Sequence, residues 1–351
     1  WTYDRIECTA DELPAMVGGF GPEWVGVSVT MPGKFAALEF ADESFSLTPE
    51  RLKAKTLRSG GKFGLAAKSP IVYRSGAGDL TVEACPKGQG ILWEMALGSG
   101  ASNLVSTGLY QQVFKMADVL PSYTMQLGLP QFSPTAGTWS VNPFTFVGCM
   151  ASSWELTLPN GGILELKLSI NARDGKDDIA FVDPASLYPA ASVPYHFGSA
   201  CIYSGTISEP TTTALIDTAG LTPIASVVSA TLKVDNSLST GTRRLCAGGL
   251  QARPLPGQPV GTGTLVVDYV ADTFTDAIFA DTGFSMVMDF TGAEAADRLQ
   301  VLVQDFRING DAMPKPNNGQ PLTQTVPFQL FDKVGQTSPI IVVQRTADTA
   351  I

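Results

Sequence analysis

The chain holds a single histidine, His196, within Pro194-Tyr195-His196-Phe197. A Ser–His–Asp arrangement would have to be built on it, because imidazole is the group that takes a nucleophile's proton near neutral pH. No G-x-S-x-G elbow is present to supply that nucleophile, so His196 reads as a surface or partly packed residue. The cysteines Cys8, Cys85, Cys149, Cys201 and Cys246 are scattered, odd in number and without a C-x-x-C pair. They fit neither a disulfide framework nor a zinc site, and free thiols buried in a reducing compartment are expected instead. Asp174, Asp177 and Asp178 offer oxygen ligands for calcium, but Asp174-Gly175-Lys176-Asp177-Asp178 lacks the ligand order and distal glutamate of an EF-hand. A solvated acidic turn is expected there. Gly98-Ser99-Gly100 lacks the Lys-Ser/Thr of a phosphate loop. Strand carboxylates can converge into a glycoside-cleaving pair, yet nothing marks such a pair. Trp139, Tyr188 and Tyr203 suit stacking on sugars as well as they suit core or interface packing. No catalytic, cofactor-binding or metal-binding residue is expected, and the chain is read as a non-enzyme.

The composition points elsewhere. Of the 351 residues 44% are hydrophobic and only 16% charged, against about 25% charged in ordinary soluble domains. A chain so poor in charge must bury much surface internally or cover its exterior with partners. Glycine (35) and proline (24) are frequent without any period, which favours many short strands joined by turns. The net charge of −10 argues against a grip on nucleic acid, which needs a basic footprint, while a wall past which nucleic acid slides would gain from repulsion. No apolar run approaches the ~18 residues of a membrane span. The chain opens on Trp1, so residues are expected to precede it, and the acids in Trp1 to Asp11 do not resemble a signal peptide.

The elements that would position any site are strands. Trp154, Leu156 and Leu158 alternate with Glu155 and Thr157, the turn Pro159-Asn160-Gly161-Gly162 follows, and Leu164, Leu166, Leu168 and Ile170 alternate with Glu165, Lys167 and Ser169. This predicts a hairpin with one apolar and one polar face. Period-two strands are also predicted from Tyr123 to Leu129, at Leu232 and Val234, from Leu265 to Tyr269, from Phe284 to Phe290, and from Leu299 through Val303 towards Ile308. After a Pro/Asn/Gly-rich loop (Asp311 to Gly319), Leu322 to Phe331 and Ile340 to Val343 complete the series. Pro327 marks an edge or bulge. Two short helices are predicted. Gln89 to Leu97 carries Ile91, Leu92 and Met95 on its packing face, and Thr273 to Ala280 carries Phe274 and Ile278, with Thr273 and Asp276 as the start of a capping box.

Strand, helix, connection and alternating strands follow one another twice. Leu80 to Leu265 and Leu92 to Ala277 share one offset of 185 residues, and the copies differ chiefly by an insertion at Ser99 to Pro121. Two tandem β units are expected, 1–175 and 176–351, joined by a charged and proline-containing linker at about 174–195. Loops of this length in compact domains usually carry function or reach a partner. The insertion 99–121 qualifies, as does the N-terminal arm 18–60, above all Gly18 to Phe35. Low-charge strands also make hazardous free edges unless another subunit pairs with them.

Several segments, taken in order, resemble the tail tube (major tail) proteins of siphophages. They are Glu43-Ser44-Phe45-Ser46-Leu47, Glu50-Arg51-Leu52-Lys53 and Leu57-Arg58-Ser59-Gly60; then Gly90-Ile91-Leu92 and Ala96-Leu97-Gly98; then Leu120-Pro121-Ser122-Tyr123-Thr124-Met125-Gln126-Leu127-Gly128, and Phe146-Val147-Gly148-Cys149-Met150 before the hairpin. Val266 to Phe290 and Phe306-Arg307-Ile308-Asn309-Gly310 extend the resemblance to the second half. It implies an all-β fold with two short helices, built of tandem β-sandwich or barrel units whose inner sheets join into a ring-wide β-barrel. It further implies a structural virion protein of the phage tail, assembled in the host cytoplasm. Its rings would stack into a tube through which DNA passes without specific binding or membrane contact. Tape measure and tail terminator or distal tail proteins are the implied partners. A duplicated chain would close a pseudo-sixfold ring with three copies, whereas an appended second domain would require six. The polar faces Glu155, Thr157, Glu165 and Lys167, and Gln300 and Gln304, are candidates for a lumen or outer surface. The alternatives are a virion-surface or secreted β-sandwich module binding a receptor or carbohydrate, and a β-rich hydrolase using two carboxylates.

Overall fold

In a computed structural model, the described residues are 37–53, 62–135, 137–182, 192–224, 226–245, 248–294, 296–314, 322–349 and 351. The arm from Gly18 to Phe35, the segment Leu57 to Gly60, Tyr188, Cys8, Cys246 and most of the loop before Leu322 lie outside them. In chain order the strands begin with β1 (Asp42–Glu43), β2 (Ser46–Arg51) and β3 (Ile71–Glu83), followed by helix α1 (Gly90–Leu97). Then come β4 (Gly98–Ser106), β5 (Leu109–Met116), β6 (Tyr123–Ser133), β7 (Thr138–Leu158), β8 (Glu165–Ala172) and β9 (Asp174–Lys176). The rest are β10 (Ala200–Ser204), β11 (Thr222–Pro223), β12 (Val227–Asp235), β13 (Val260–Asp268), helix α2 (Thr273–Ala280), β14 (Phe284–Thr291), β15 (Arg298–Ile308), β16 (Thr323–Leu330) and β17 (Ile340–Thr346).

All pairings are antiparallel. One sheet runs β2–β3–β8–β7–β12–β13–β16 and the other β11–β10–β14–β15–β17–β5–β4. The last residues of β15 cross from the second sheet to pair with β16. The expected all-β fold with two short helices is what forms, and among the described residues the sheet stays open instead of closing into a barrel. The apolar residues of the predicted hairpin explain the layering. Trp154, Leu156, Leu166 and Leu168 are buried, whereas Glu165 and Lys167 are exposed. One continuous core joins them to Leu80, Leu232, Leu265 and Val326 of the same sheet and to Phe114, Met286, Val301 and Val342 of the other. Each fully buried large side chain contributes about 1.5–3 kcal/mol, so this interlayer core is what holds the sheets together.

The strand order β2–β3–β8–β7 recurs as β12–β13–β16–β15. Leu80 lies opposite Leu168, as Leu265 lies opposite Val326. Gly76 and Gly78 precede Leu80 at the spacing at which Gly261 and Gly263 precede Leu265. Both pairs are places of close approach. A Cβ on Gly78 would fall 2.5 Å from Cα of Phe45, and one on Gly263 would fall 2.2 Å from the Phe328 ring. The β6–β7 and β14–β15 pairs each slip register once, just after Tyr123↔Cys149 and Phe284↔Phe306.

Several expectations are corrected. The insertion 99–121 is not a loop but the hairpin β4–β5, whose second strand pairs with β17. The stretch expected as a solvated acidic turn opens with β9, where Asp174 is buried and its carboxylate meets Arg74 at 3.2 Å. α1 is buried on nearly every side instead of along one stripe, because Trp93 as well as Leu92 and Met95 enters the core, where Trp93 meets Trp154 edge-on at 6.1 Å. Gly98 ends the helix in the left-handed conformation at φ 100°. α2 lacks the expected capping box: its N-cap is Asp272, without a side-chain cap bond. Its buried face is Phe274 and Ala277, while Ile278 is 40% exposed.

Candidate assembly surface

The first sheet turns its polar face outward. Strand periodicity puts Asp79, Glu83, Glu155, Glu165 and Asp235 on that face, with Lys167 and Lys233 among them. Lys167 lies opposite Glu155 and bonds Asp79 at 2.9 Å, and Lys233, also opposite Glu155, reaches it at 3.9 Å. The Lys167 bond holds the Asp79 carboxyl below its usual range and pushes the Lys167 ammonium up. Glu83 faces Glu165 directly, a like-charge pairing that disfavours the isolated sheet. From β12 onward the face becomes poorer in charge and hydroxyl-rich, with Thr231, Thr262, Thr264, Thr323 and Thr325 beside the acid Asp268 at the end of β13. Acids exceed bases across the whole face.

A shallow polar trough of about 580 Å³ lies on it, lined by Ser44, Asp79, Ser152, Ser169, Asn171 and Asp235 among others. Its two carboxylates are already engaged, Asp79 by Lys167 and Asp235 by the N–H of Ser237 at 2.7 Å. Nothing in this arrangement sets one acid up as a proton donor and the other as a base. Among the described residues no cluster of His, Cys, Asp and Glu suits a metal ion. His196 is exposed and caps a short 3-10 turn at Phe197–Ser199. Burial pushes the Cys85 thiol up and the Cys149 thiol up to about 12, the behaviour of packing residues rather than nucleophiles.

The outer edge of this sheet is β2. Every residue of it is exposed, and among the described residues β3 is its one strand neighbour. Phe45 and Leu47 lie on its core-facing side, opposite Gly78 and Gly76. A second exposed apolar region is the far end of the β6–β7 hairpin, where the Phe132 ring lies 5.1 Å from that of Trp139, tilted by 50°, and Trp139 is 71% exposed.

The sequence misplaced one pair of candidates. Gln300 and Gln304, expected on a lumen or outer surface, are fully buried. Residues 205–221 lie as a strap over the outer side of the second sheet, with Ile207 and Ile216 packed on Val287, Leu302, Ile341 and Val343. Gln300 accepts from the N–H of Ile216 at 2.8 Å and donates to its carbonyl, and Gln304 donates to Glu209. Amide side chains satisfy a covering strand's backbone without a buried charge. Sequence reasoning also missed Glu209, which accepts from the N–H and hydroxyl of Thr337 and meets Lys115 at 3.7 Å.

Comparison with known proteins finds one family: the family described as phage tail tube protein matches residues 19–330. A search of curated proteins finds no match.

Proposed function

Because the chain belongs to the phage tail tube protein family, and is thereby a structural protein of the virion tail, we propose that its copies close into rings, that the rings stack into the tail tube, and that DNA passes through the lumen during ejection. The observation that carries this reading is the first sheet, unbroken from β2 to β16, apolar towards the core and net acidic on its open face. Placed on the inner wall, that face repels phosphates and leaves no basic groove in which DNA would stick. Tape measure protein inside the tube and terminator or distal tail proteins at its ends are the corresponding partners.

The chain further reads as two tandem tube units, 1–175 and 176–351. The recurrent strand order, the paired glycines and the matching register slips support it. The β7–β12 pairing then joins one unit to the next within a chain. Three copies supply the six units of a pseudo-sixfold ring; six copies would be needed if only one unit lined the lumen. Negative-stain imaging of the purified protein tests the assembly, with rings or tubes expected and persistent monomers overturning it. The mass of a single ring, expected at three copies of the 37.0 kDa chain, tests the copy number.

A further inference from the structure

Within one chain, β7 and β12 show how one unit meets the next. Ser153 lies opposite Asp235, Trp154 opposite Val234 and Leu156 opposite Leu232. The N–H of Asn236 donates to Ser152 O at 2.8 Å, so even-numbered residues of β12 direct their backbone at β7. Both strands have counterparts that, among the described residues, carry no paired strand on the outer side. Opposite Gly76, Leu47 takes the place that Val234 has opposite Gly261, and Phe45 takes that of Leu232. Asn309 donates to Pro327 O at 3.0 Å, continuing β15 along β16. It thus occupies the place of Ser153, which pairs with Ser169 of β8. Asn309, Gly310, Asp311 and Met313 are exposed, while Ala312 is buried as Leu156 is.

Resting on the ring reading, we propose that the outer edge of β1–β2 in one copy takes up residues 309–311 of the next copy as an antiparallel strand, with Thr48 opposite Asn309 and Ser46 opposite Asp311. Leu47 then exchanges backbone hydrogen bonds with Gly310, and the apolar side chains of β2 turn into a core shared between copies. The Phe45 N–H is the next donor along this edge. Inside the monomer that N–H is held by the Glu43 carboxylate at 2.9 Å, so the side chain blunts the edge until the neighbour arrives. Pro49 stands where Asn236 donates across the internal junction. It has no N–H to give, so the pairing ends at Thr48.

Antiparallel partners outside the hydrogen-bonded pairs bring Cα atoms to about 4.5 Å, within disulfide reach. The test is full-length protein carrying Thr48→Cys with Asn309→Cys, each single variant, and a misregistered Thr48→Cys with Met313→Cys. Thr157→Cys with Thr231→Cys, opposite each other at the internal junction, is the intrachain control. Assembled material is imaged, oxidised and run without reductant. The expected result is a ladder ending at a closed covalent ring for the registered pair alone, with the control closing inside one chain. Tubes that form without this ladder, or that give it equally in the misregistered pair, overturn the edge pairing and leave the ring reading standing. A control variant that closes its own disulfide yet forms no rings overturns the ring reading and the edge pairing with it.

Discussion

At Gly263 the absence of a side chain decides how close two strands and a ring can come. A Cβ there would meet Thr231 O at 2.5 Å as well as the Phe328 ring, and a backbone oxygen in a paired strand cannot swing aside. Gly78 is confined in the same way by the backbone of Phe45. Gly263→Ala is expected to destabilise the fold by about 1–3 kcal/mol through overpacking, read as a lowered denaturation midpoint. Gly108→Ala is the contrast: its Cβ meets nothing within 4 Å, and its cost would come from φ of 76° alone. If the two variants lose stability equally, the close approach is not what limits Gly263. The glycines are visible in the sequence, but their role is not. It depends on Phe45 and Phe328, residues that chain distance alone does not bring together.

At the scale of elements, period-two alternation located most strands, because a strand with one wet face writes its orientation into residue order. The hairpin of Trp154 and Leu166 was legible for that reason. β4 was not, since Gly98 to Ser106 is mostly small residues without hydropathic contrast. β14 reads as alternating, yet all but its first and last residues are buried, because the strap covers the side that would otherwise be wet. The strap itself lacks periodicity, and what holds it is chemistry from distant strands. Burial raises the Glu209 carboxyl, but the two Thr337 bonds and Lys115 outweigh it, leaving the group below its usual range. Its contribution is therefore complete above the unfolded glutamate value of about 4.3 and is lost as pH falls through the lowered folded value. Glu209→Gln should cost about 1 kcal/mol at neutral pH. The difference from the parent protein should shrink as acidification protonates Glu209, measured by denaturant midpoints across pH. A constant difference would mean that the carboxylate's charge does not hold the strap.

For the whole molecule, the sequence named Glu155, Thr157, Glu165 and Lys167 as a polar face. It could not show that Asp79, Glu83, Lys233 and Asp235 share it, since they come from two other strands, β3 and β12, brought in by pairing. Nor could alternation reveal that the face grades from charged to hydroxyl-rich across β12. Three chains in a ring would repeat that gradation three times, so the acids would form separate stripes along a channel. Glu165→Lys is the informative change. It replaces the like-charge pair with Glu83 by an opposite pair, which leaves folding unharmed or favours it by about 0.2–1 kcal/mol. It also adds positive charge to the stripe without touching β1–β2 or residues 309–311. Virions built with this variant should assemble tails of normal length and release DNA more slowly at low ionic strength, where phosphate attraction is least screened. Raising the salt should restore the rate. Release that is unchanged at every salt concentration would mean that this face does not meet the passing DNA, and the inner wall would have to be sought on another surface of the protein.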